Sequence, residues 1–319
     1  MAAEEAVLGL DTSCYTTSAA LMDRQGNLMG DQRRLLTVKP GRRGLAQSEM
    51  VYQHTRNLPD LLEALELDGR RIAAIGVSAK PRPREDSYMP AFLVGLGMAR
   101  SLGKVLGVPV HFFTHQHNHM YAGLWSVGKT APDRFLLVHI SGGTTDLLLC
   151  ERQEDGEFTL EPRGTSIDLH AGQFIDRVGV ALGLAFPAGA RLEKLGETAA
   201  EPYPLKVWSQ EGKLSLSGPC TQALRAIDQG ADPASLALGV EQAIGKALAR
   251  TIGWVCQKEA LSQVLLVGGV SANKEIRHQL EAFLSRRQIG LWAPDPRYSV
   301  DGAVGNAWAA VLRERQEEP

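Results

Sequence analysis

Apolar and polar residues fall along this chain in short strand-length runs broken by turn residues, with longer segments of helical spacing between them. Strands are expected at residues 7–10, 18–22, 28–31, 72–78, 109–113, 135–140, 146–151 and 264–267. Helices are expected over 48–66, 90–106, 171–182, 233–259, 273–286 and 301–313, with Gly69, Gly107 and Gly183 where helix ends favour glycine. Two stretches repeat one design. Val7 to Leu21 and Leu136 to Leu149 each read as an apolar run, a turn of Gly, Ser, Thr or Asp, and a second apolar run, the pattern of a β-hairpin. Such a turn offers backbone N–H groups and hydroxyls that can cradle a phosphate. A third element, Val264 to Lys274, carries a buried strand through Gly268 and Gly269 into a capped helix, where N–H groups again point at an anion. Each element alone is equally an ordinary hairpin or strand-turn-helix. Their order and repetition suggest a nucleotide held between two related α/β domains, dividing between His115 and Phe135 into residues 1–130 and 131–319.

Composition narrows the class. The 319 residues are 44% hydrophobic and 22% charged, enough apolar material for two medium cores. A formal net charge of -2 excludes nucleic-acid binding by overall electrostatics, so any such contact must be regional. Cys14, Cys150, Cys220 and Cys256 are far apart and nothing before Leu8 resembles a secretory signal, which points to a reducing cytoplasm. The longest apolar helix candidate, Pro90 to Val110, contains Arg100 and Lys104 and meets Pro109, which argues against a membrane span.

The chemistry concentrates in Thr114-His115-Gln116-His117-Asn118-His119. On a helical turn the imidazoles of His115 and His119 share a face and can bind one divalent ion, while His117 points elsewhere. The alternative is a polar turn of solvated histidines at a strand end. A zincin protease needs Glu directly after the first His, and Gln116 is there instead.

Leu10-Asp11-Thr12-Ser13-Cys14, the His-x-x-x-His segment, Ile140-Ser141-Gly142-Gly143, Ala171-Gly172-Gln173-Phe174-Ile175-Asp176, Pro187-Ala188-Gly189, Leu216-Ser217-Gly218, Gly268 to Asn273 and Val300-Asp301-Gly302-Ala303 follow one another in an order that resembles the TsaD-like family. That family transfers a threonylcarbamoyl group to tRNA and was formerly labelled a glycoprotein endopeptidase family. The resemblance spans nearly the whole chain and implies two actin-like ATPase (ribonuclease H-like) domains around a nucleotide cleft. It implies His115, His119 and Asp301 as ligands of one divalent metal ion, with iron, zinc and magnesium undistinguished. It also implies an adenine nucleotide or adenylate contacted by Ser13, Ser141, Gly142 and Gly143 at the phosphates, by Asp176 at the ribose, and by Gly189 and Asn273 beside sugar and base. Without it, Asp301 reads as a helix N-cap, Asp176 as a solvated helix carboxylate and Gly189 as a simple turn.

The implied reaction is attack by N6 of adenosine 37 in tRNA on threonylcarbamoyl-adenylate, in the cytoplasm, with a shorter homologous pseudo-enzyme and a small ATPase as partners and no membrane. The chain departs from the family pattern at several polar positions. Tyr15-Thr16 replace two acids, His117 a Glu, Thr144 a His and Pro219-Cys220 a Leu-Lys, while Gly302 stands where an Asn follows the metal Asp. Losing these groups together bears on catalysis, since each would place charge or move a proton. The alternatives to the transferase are therefore a nucleotide-binding paralogue acting as scaffold or regulator, and a carbamoyltransferase or ATPase with another acceptor. The basic run Gln32 to Arg43, with Arg82, Arg84, Arg286 and Arg287, is either a solvated surface or a contact for the tRNA backbone.

Overall fold

The computed structural model describes residues 4–38 and 44–317 and divides the chain into two units. The first comprises the chain up to Gly128 together with the segment from Val300; the second is Lys129–Ser299. The first unit ends at Gly128, and the C-terminal segment from Val300 belongs with it instead of completing the second.

The first unit holds a five-stranded sheet in the order β3-β2-β1-β4-β5. Its strands are β1 (Glu5–Asp11), β2 (Thr16–Asp23), β3 (Leu28–Leu35), β4 (Arg71–Lys80) and β5 (Val110–Thr114). β1, β2 and β3 form an antiparallel meander, whereas β4 and β5 add in parallel through crossover helices α1 (Gln47–Glu63) and α2 (Phe92–Leu106). β1 is buried from Ala6 to Asp11, as a central strand covered on both faces must be. One face packs Leu58 and Leu61 of α1 and Ala99 of α2 against Leu8, Leu10, Ile75 and Val77. The same unit takes in α3 (His115–Val127) and the C-terminal α10 (Val304–Glu317).

Paired glycines explain why the chain's end returns here. Gly9 of β1 lies opposite Gly76 of β4. A Cβ on Gly9 would strike the Ala303 carbonyl and approach the Ala307 nitrogen to 2.7 Å, and one on Gly76 would strike the Asn306 carbonyl. The two glycines let the start of α10 lie directly on the sheet backbone, an approach no side chain at either position permits.

The second unit repeats the plan. β6 (Arg134–Ile140), β7 (Thr145–Arg152) and β8 (Phe158–Ser166) form an antiparallel meander, and β11 (Gln263–Val267) and β12 (Gly290–Trp292) add in parallel beside β6. Two short strands, β9 (Trp208–Gln210) and β10 (Lys213–Ser215), complete the order β12-β11-β6-β7-β8-β10-β9. Around this sheet lie α4 (Ala171–Ala181), α5 (Gly189–Gly196), α6 (Ser217–Asp228), α7 (Pro233–Glu259), α8 (Lys274–Ser285) and the short α9 (Pro296–Ser299). α7 starts with Asp232 accepting the Ser235 N–H at 2.8 Å and with Pro233 in its first turn, a proper helix opening. Its apolar residues, among them Leu236, Val240, Ile244, Leu248 and Ile252, fill the core against Leu136, Val138 and Ile140.

Both hairpins expected from the sequence are present, with Asp11 opposite Ser18 and Ile140 opposite Thr145. α3, β8, α5, β9, β10, α6, β12 and α9 were not anticipated, and α10 begins at Val304 rather than 301. All four cysteines are free thiols, and among the described residues no helix is long and apolar enough to cross a membrane.

Candidate functional site

In the first unit β5 passes into α3 without a linker, so His115 is the first helical residue. The Thr114 hydroxyl caps the helix by accepting the His117 N–H at 3.2 Å and also lies 2.6 Å from His117 Nδ1. His117 is thereby tied to the cap, while His115 and His119 project from one face with their Nε2 atoms 3.1 Å apart. Asp301 lies in the loop before α10, so it is not that helix's N-cap. Its Oδ1 is 3.2 Å from His119 Nε2 and 3.6 Å from His115 Nε2. Three sequence-derived residues thus converge, and both histidines are buried.

Asp11, at the end of β1, completes the cluster and was not anticipated as part of it. Its Oδ2 accepts the Ser13 hydroxyl and lies 3.8 Å from His115 Nδ1, on the ring edge away from His119. Ser13 is fully buried with its hydroxyl on Asp11. Burial disfavours the His115 cation, but the adjacent Asp11 carboxylate and the charge of Asp301 outweigh it, and the His115 pKa is raised. Burial and the neighbouring His115 lower that of His119. Burial works against the Asp301 carboxylate, yet the His119 hydrogen bond and the charges of His115, His119 and Arg33 hold its pKa below the ordinary value. Cys14, beside this cluster at φ 46°, has its thiol pushed up to about 12 by burial and by Asp301 and Asp11.

The donor set fits a divalent cation. Two imidazole nitrogens and a carboxylate oxygen span a triangle with edges of 3.1, 3.2 and 3.6 Å. Ligand atoms each about 2.0–2.2 Å from one zinc-like ion are spaced in this way. Asp11 Oδ1 is buried and accepts no hydrogen bond among the described residues, so the pocket carries negative potential that a cation would offset. Asp11 also places a carboxylate charge beside the far ring edge of His115.

Two buried asparagines hold this geometry. Asn118, between the two histidines, donates to the Gly302 carbonyl at 2.7 Å and accepts the Asn306 N–H at 2.9 Å. Asn306 donates to the Leu10 carbonyl at 2.7 Å and to the Ser78 hydroxyl at 2.9 Å. α3, α10, β1 and β4 are therefore fixed through one polar network. Their sequence separations, such as 188 positions for Asn118 and Asn306, leave no local pattern by which to find it.

The expected nucleotide residues of the second unit are not all alike. Ser141, Gly142 and Gly143 form the β6–β7 turn, closed by Ser141 N–H to the Thr144 carbonyl at 2.8 Å, and the space over both glycines is open. The N-terminus of α4 is stacked on this turn. Gly172 N–H donates to the Ser141 carbonyl at 3.0 Å, and a Cβ on Gly172 would come within 2.7 Å of Gly142. Gly189 begins α5 and is also open. Asp176 is partly committed, since its Oδ1 accepts the Ala188 N–H at 2.7 Å, and burial raises its pKa. Asn273 caps α8 by accepting the Ile276 N–H at 2.9 Å and donates to Glu241 at 2.8 Å, so both ends of its amide serve the fold.

The basic run resolves into paired residues where it is described. Arg33 meets Asp31 at 2.9 Å, Arg34 meets Asp60 at 2.7 Å, and Arg84 meets Asp86 at 2.9 Å. Lys39, Arg42 and Arg43 lie outside the described residues. Tyr15 packs against the apolar cluster of Leu36, Met50 and Ala91.

The repeated plan of meander, crossover strands and flanking helices is that of the actin-like ATPases. Full-length HypF superposes with a TM-score of 0.62 at 12% identity over 99% of this chain and 57% of that one. Component A of the Acidaminococcus fermentans (R)-2-hydroxyglutaryl-CoA dehydratase gives 0.58 at 14% identity over 97% and 99%. Residues 45–308 match the family model of TsaD, tRNA N6-adenosine threonylcarbamoyltransferase, and the chain belongs to this family of tRNA-modifying transferases. A relative of that name from Thermus thermophilus is 33% identical over 283 residues, covering 86% of this chain and 84% of its own. Another from Aromatoleum aromaticum is 29% identical over 321 residues, covering 96% and 91%. A Methanothermobacter thermautotrophicus protein named as a probable bifunctional tRNA threonylcarbamoyladenosine biosynthesis protein is 26% identical over 98% of this chain and 56% of its own length.

Proposed function

We propose that this transferase moves the threonylcarbamoyl group of threonylcarbamoyl-adenylate to N6 of adenosine 37 in tRNA. The observation that carries the reading is the meeting of His115, His119 and Asp301 within a member of this family. These three residues would hold one divalent ion, which when bound supplies positive charge to phosphate or carbonyl oxygens. Asp11 sets a negative charge beside His115, and the Asn118–Asn306 network keeps the Asp301 segment in place. In the second unit the open backbone of Gly142 and Gly143 admits a phosphate to their N–H groups, with the α4 N-terminus behind the turn. Asp176 Oδ2, with no hydrogen bond among the described residues, is the atom left to meet a ribose hydroxyl. The N6 nitrogen forms a bond to the carbonyl carbon as the bond from that carbon to the phosphate oxygen breaks, AMP leaves, and the displaced N6 proton passes to the departing phosphate or to water. A mixed anhydride is reactive enough that positioning supplies much of the rate.

A second reading, a nucleotide-binding relative with weakened turnover that acts with partner subunits, is favoured by Tyr15, whose ring lies in an apolar cluster where the family pattern has an acid. Complementation separates the two. A strain depleted of its own threonylcarbamoyltransferase should regain the modified nucleoside, read by mass spectrometry, when given this chain, and should fail to with His115→Ala or Asp301→Ala. Absence of the nucleoside with the wild-type chain, expressed and folded with the strain's partner subunits present, would favour the second reading.

A further inference from the structure

We propose that Arg33 is a positioning residue for Asp301, and that Gly302 is glycine because the Arg33 guanidinium occupies the space its side chain would take. The inference rests on the reading of His115, His119 and Asp301 as a metal site. Arg33 lies on β3, two residues from Asp31 and so on the same strand face. Its Nε donates to Asp31 Oδ1 at 2.9 Å, where the Asp31 side chain is only 2% exposed, and its Nη1 donates to the main-chain carbonyl of Asp301 at 3.3 Å. A Cβ built on Gly302 meets Arg33 Cζ at 2.7 Å, Nη2 at 2.9 Å and Nε at 3.0 Å. The guanidinium is thus anchored at one end by a buried carboxylate and laid flat against the backbone of the segment that carries Asp301.

The consequence follows from the next carbonyl along. The Gly302 carbonyl accepts Asn118 from the histidine helix at 2.7 Å. Two consecutive carbonyls are therefore held by two groups from different elements, β3 and α3. A peptide held at both carbonyls has little freedom to rotate, and the Asp301 carboxylate stays 3.2 Å from His119. Arg suits this role because its planar fork serves two acceptors at once, which a lysine ammonium on a flexible stem does not reproduce. Supporting groups of this kind typically change metal affinity by about 10–100-fold when removed.

Arg33→Ala leaves the Asp31 carboxylate buried without its cation and can fail to fold, so the test begins at Gly302. Gly302→Ala adds one methyl, alters no charge, and meets only Arg33 among its three nearest atoms. Cobalt(II) affinity by chelator competition and the visible spectrum of the cobalt-loaded protein would be measured for wild type, Gly302→Ala, Arg33→Ala, Arg33→Lys and the Gly302→Ala/Arg33→Ala pair, each with its melting curve. Gly302→Ala is expected to weaken cobalt binding by about 10-fold or more and to shift the spectrum, with the melting midpoint nearly unchanged. In the Arg33→Ala background the same substitution should have no further effect, because the group it displaces is gone. Arg33→Lys should fall between the two. If Arg33→Ala does not fold, Gly302→Ala and Arg33→Lys decide the matter. Wild-type cobalt affinity in Gly302→Ala, or an equal loss in both backgrounds, would overturn the role of Arg33 alone. No cobalt binding by the wild type would overturn the metal site and this role with it.

Discussion

Glu241 carries a charge that the fold disfavours. It sits in the middle of α7, 2% exposed, with one carboxylate oxygen on the Asn273 amide. Burial, offset in part by that hydrogen bond but reinforced by the charges of Glu193, Glu275 and Glu197, raises its pKa to about 7. A carboxyl whose folded pKa exceeds its unfolded one favours folding below the unfolded value, and that advantage is lost as pH rises from about 4.5 towards 7. Glu241→Gln keeps an oxygen for Asn273 and removes the ionisation. It should stabilise the fold at pH 8 by on the order of 1–3 kcal/mol, seen as a raised melting midpoint, and leave the midpoint unchanged near pH 4.5. Equal effects at both pH values in thermal melts would show that packing, not charge, is altered. At this scale the sequence was informative where chemistry and spacing coincide. The four-residue interval by itself puts His115 and His119 on one face, whereas Asp301 comes only through family resemblance. Asp11, Asn118, Asn306 and Arg33 were missed because each acts through a partner far away in the chain, and Arg33 was read instead as part of a basic surface. Asn273 was legible as a helix cap, but its bond to Glu241 was not.

At the scale of elements, the turn after β6 and the helix α4 behave as one piece. The turn backbone and the first turn of α4 touch at Gly142 and Gly172, with no side chain between them. Gly172→Ala places a methyl against backbone atoms, which cannot swing aside as a side-chain end can, and overpacking of this kind costs about 1–3 kcal/mol. The displaced turn should bind an adenine nucleotide at least about 10-fold more weakly, by calorimetry, because its N–H groups lose their alignment on the phosphate. Unchanged affinity with a confirmed fold would remove the turn from the nucleotide site. The hairpins and the longer amphipathic helices were readable from their periods. α3 was not, because His115, Gln116 and Asn118 to Leu124 are all buried and leave no apolar stripe on one side. β9, β10 and β12 have three residues each, too short for an alternation to register.

For the whole molecule, the connectivity matters more than the length of either part. The second unit is one continuous run, Lys129–Ser299, inserted between α3 and α10 of the first. The sequence reading divided the chain at the restart of the hairpin pattern, but a repeat can mark only where a unit begins. The return at Val300 is governed by tertiary fit between α10 and the glycine pair on β1 and β4. Ending the chain after Ser299 tests that view. The first unit would lose Ala303, Val304, Ala307, Ala310 and Val311 from its core, all buried, together with the Asn306 hydrogen bonds to Leu10 and Ser78 and the Asp301 carboxylate. Buried apolar groups and hydrogen bonds on this scale amount to roughly 5–10 kcal/mol, comparable with the stability of an entire domain. The truncated chain should therefore bind no divalent ion and should lose residues 4–128 to limited proteolysis, while a fragment spanning 129–299 survives. Mass spectrometry of the digest would identify that fragment. Survival of the 4–128 segment would mean that the first sheet holds without its C-terminal helix, and that α10 serves chiefly to deliver Asp301.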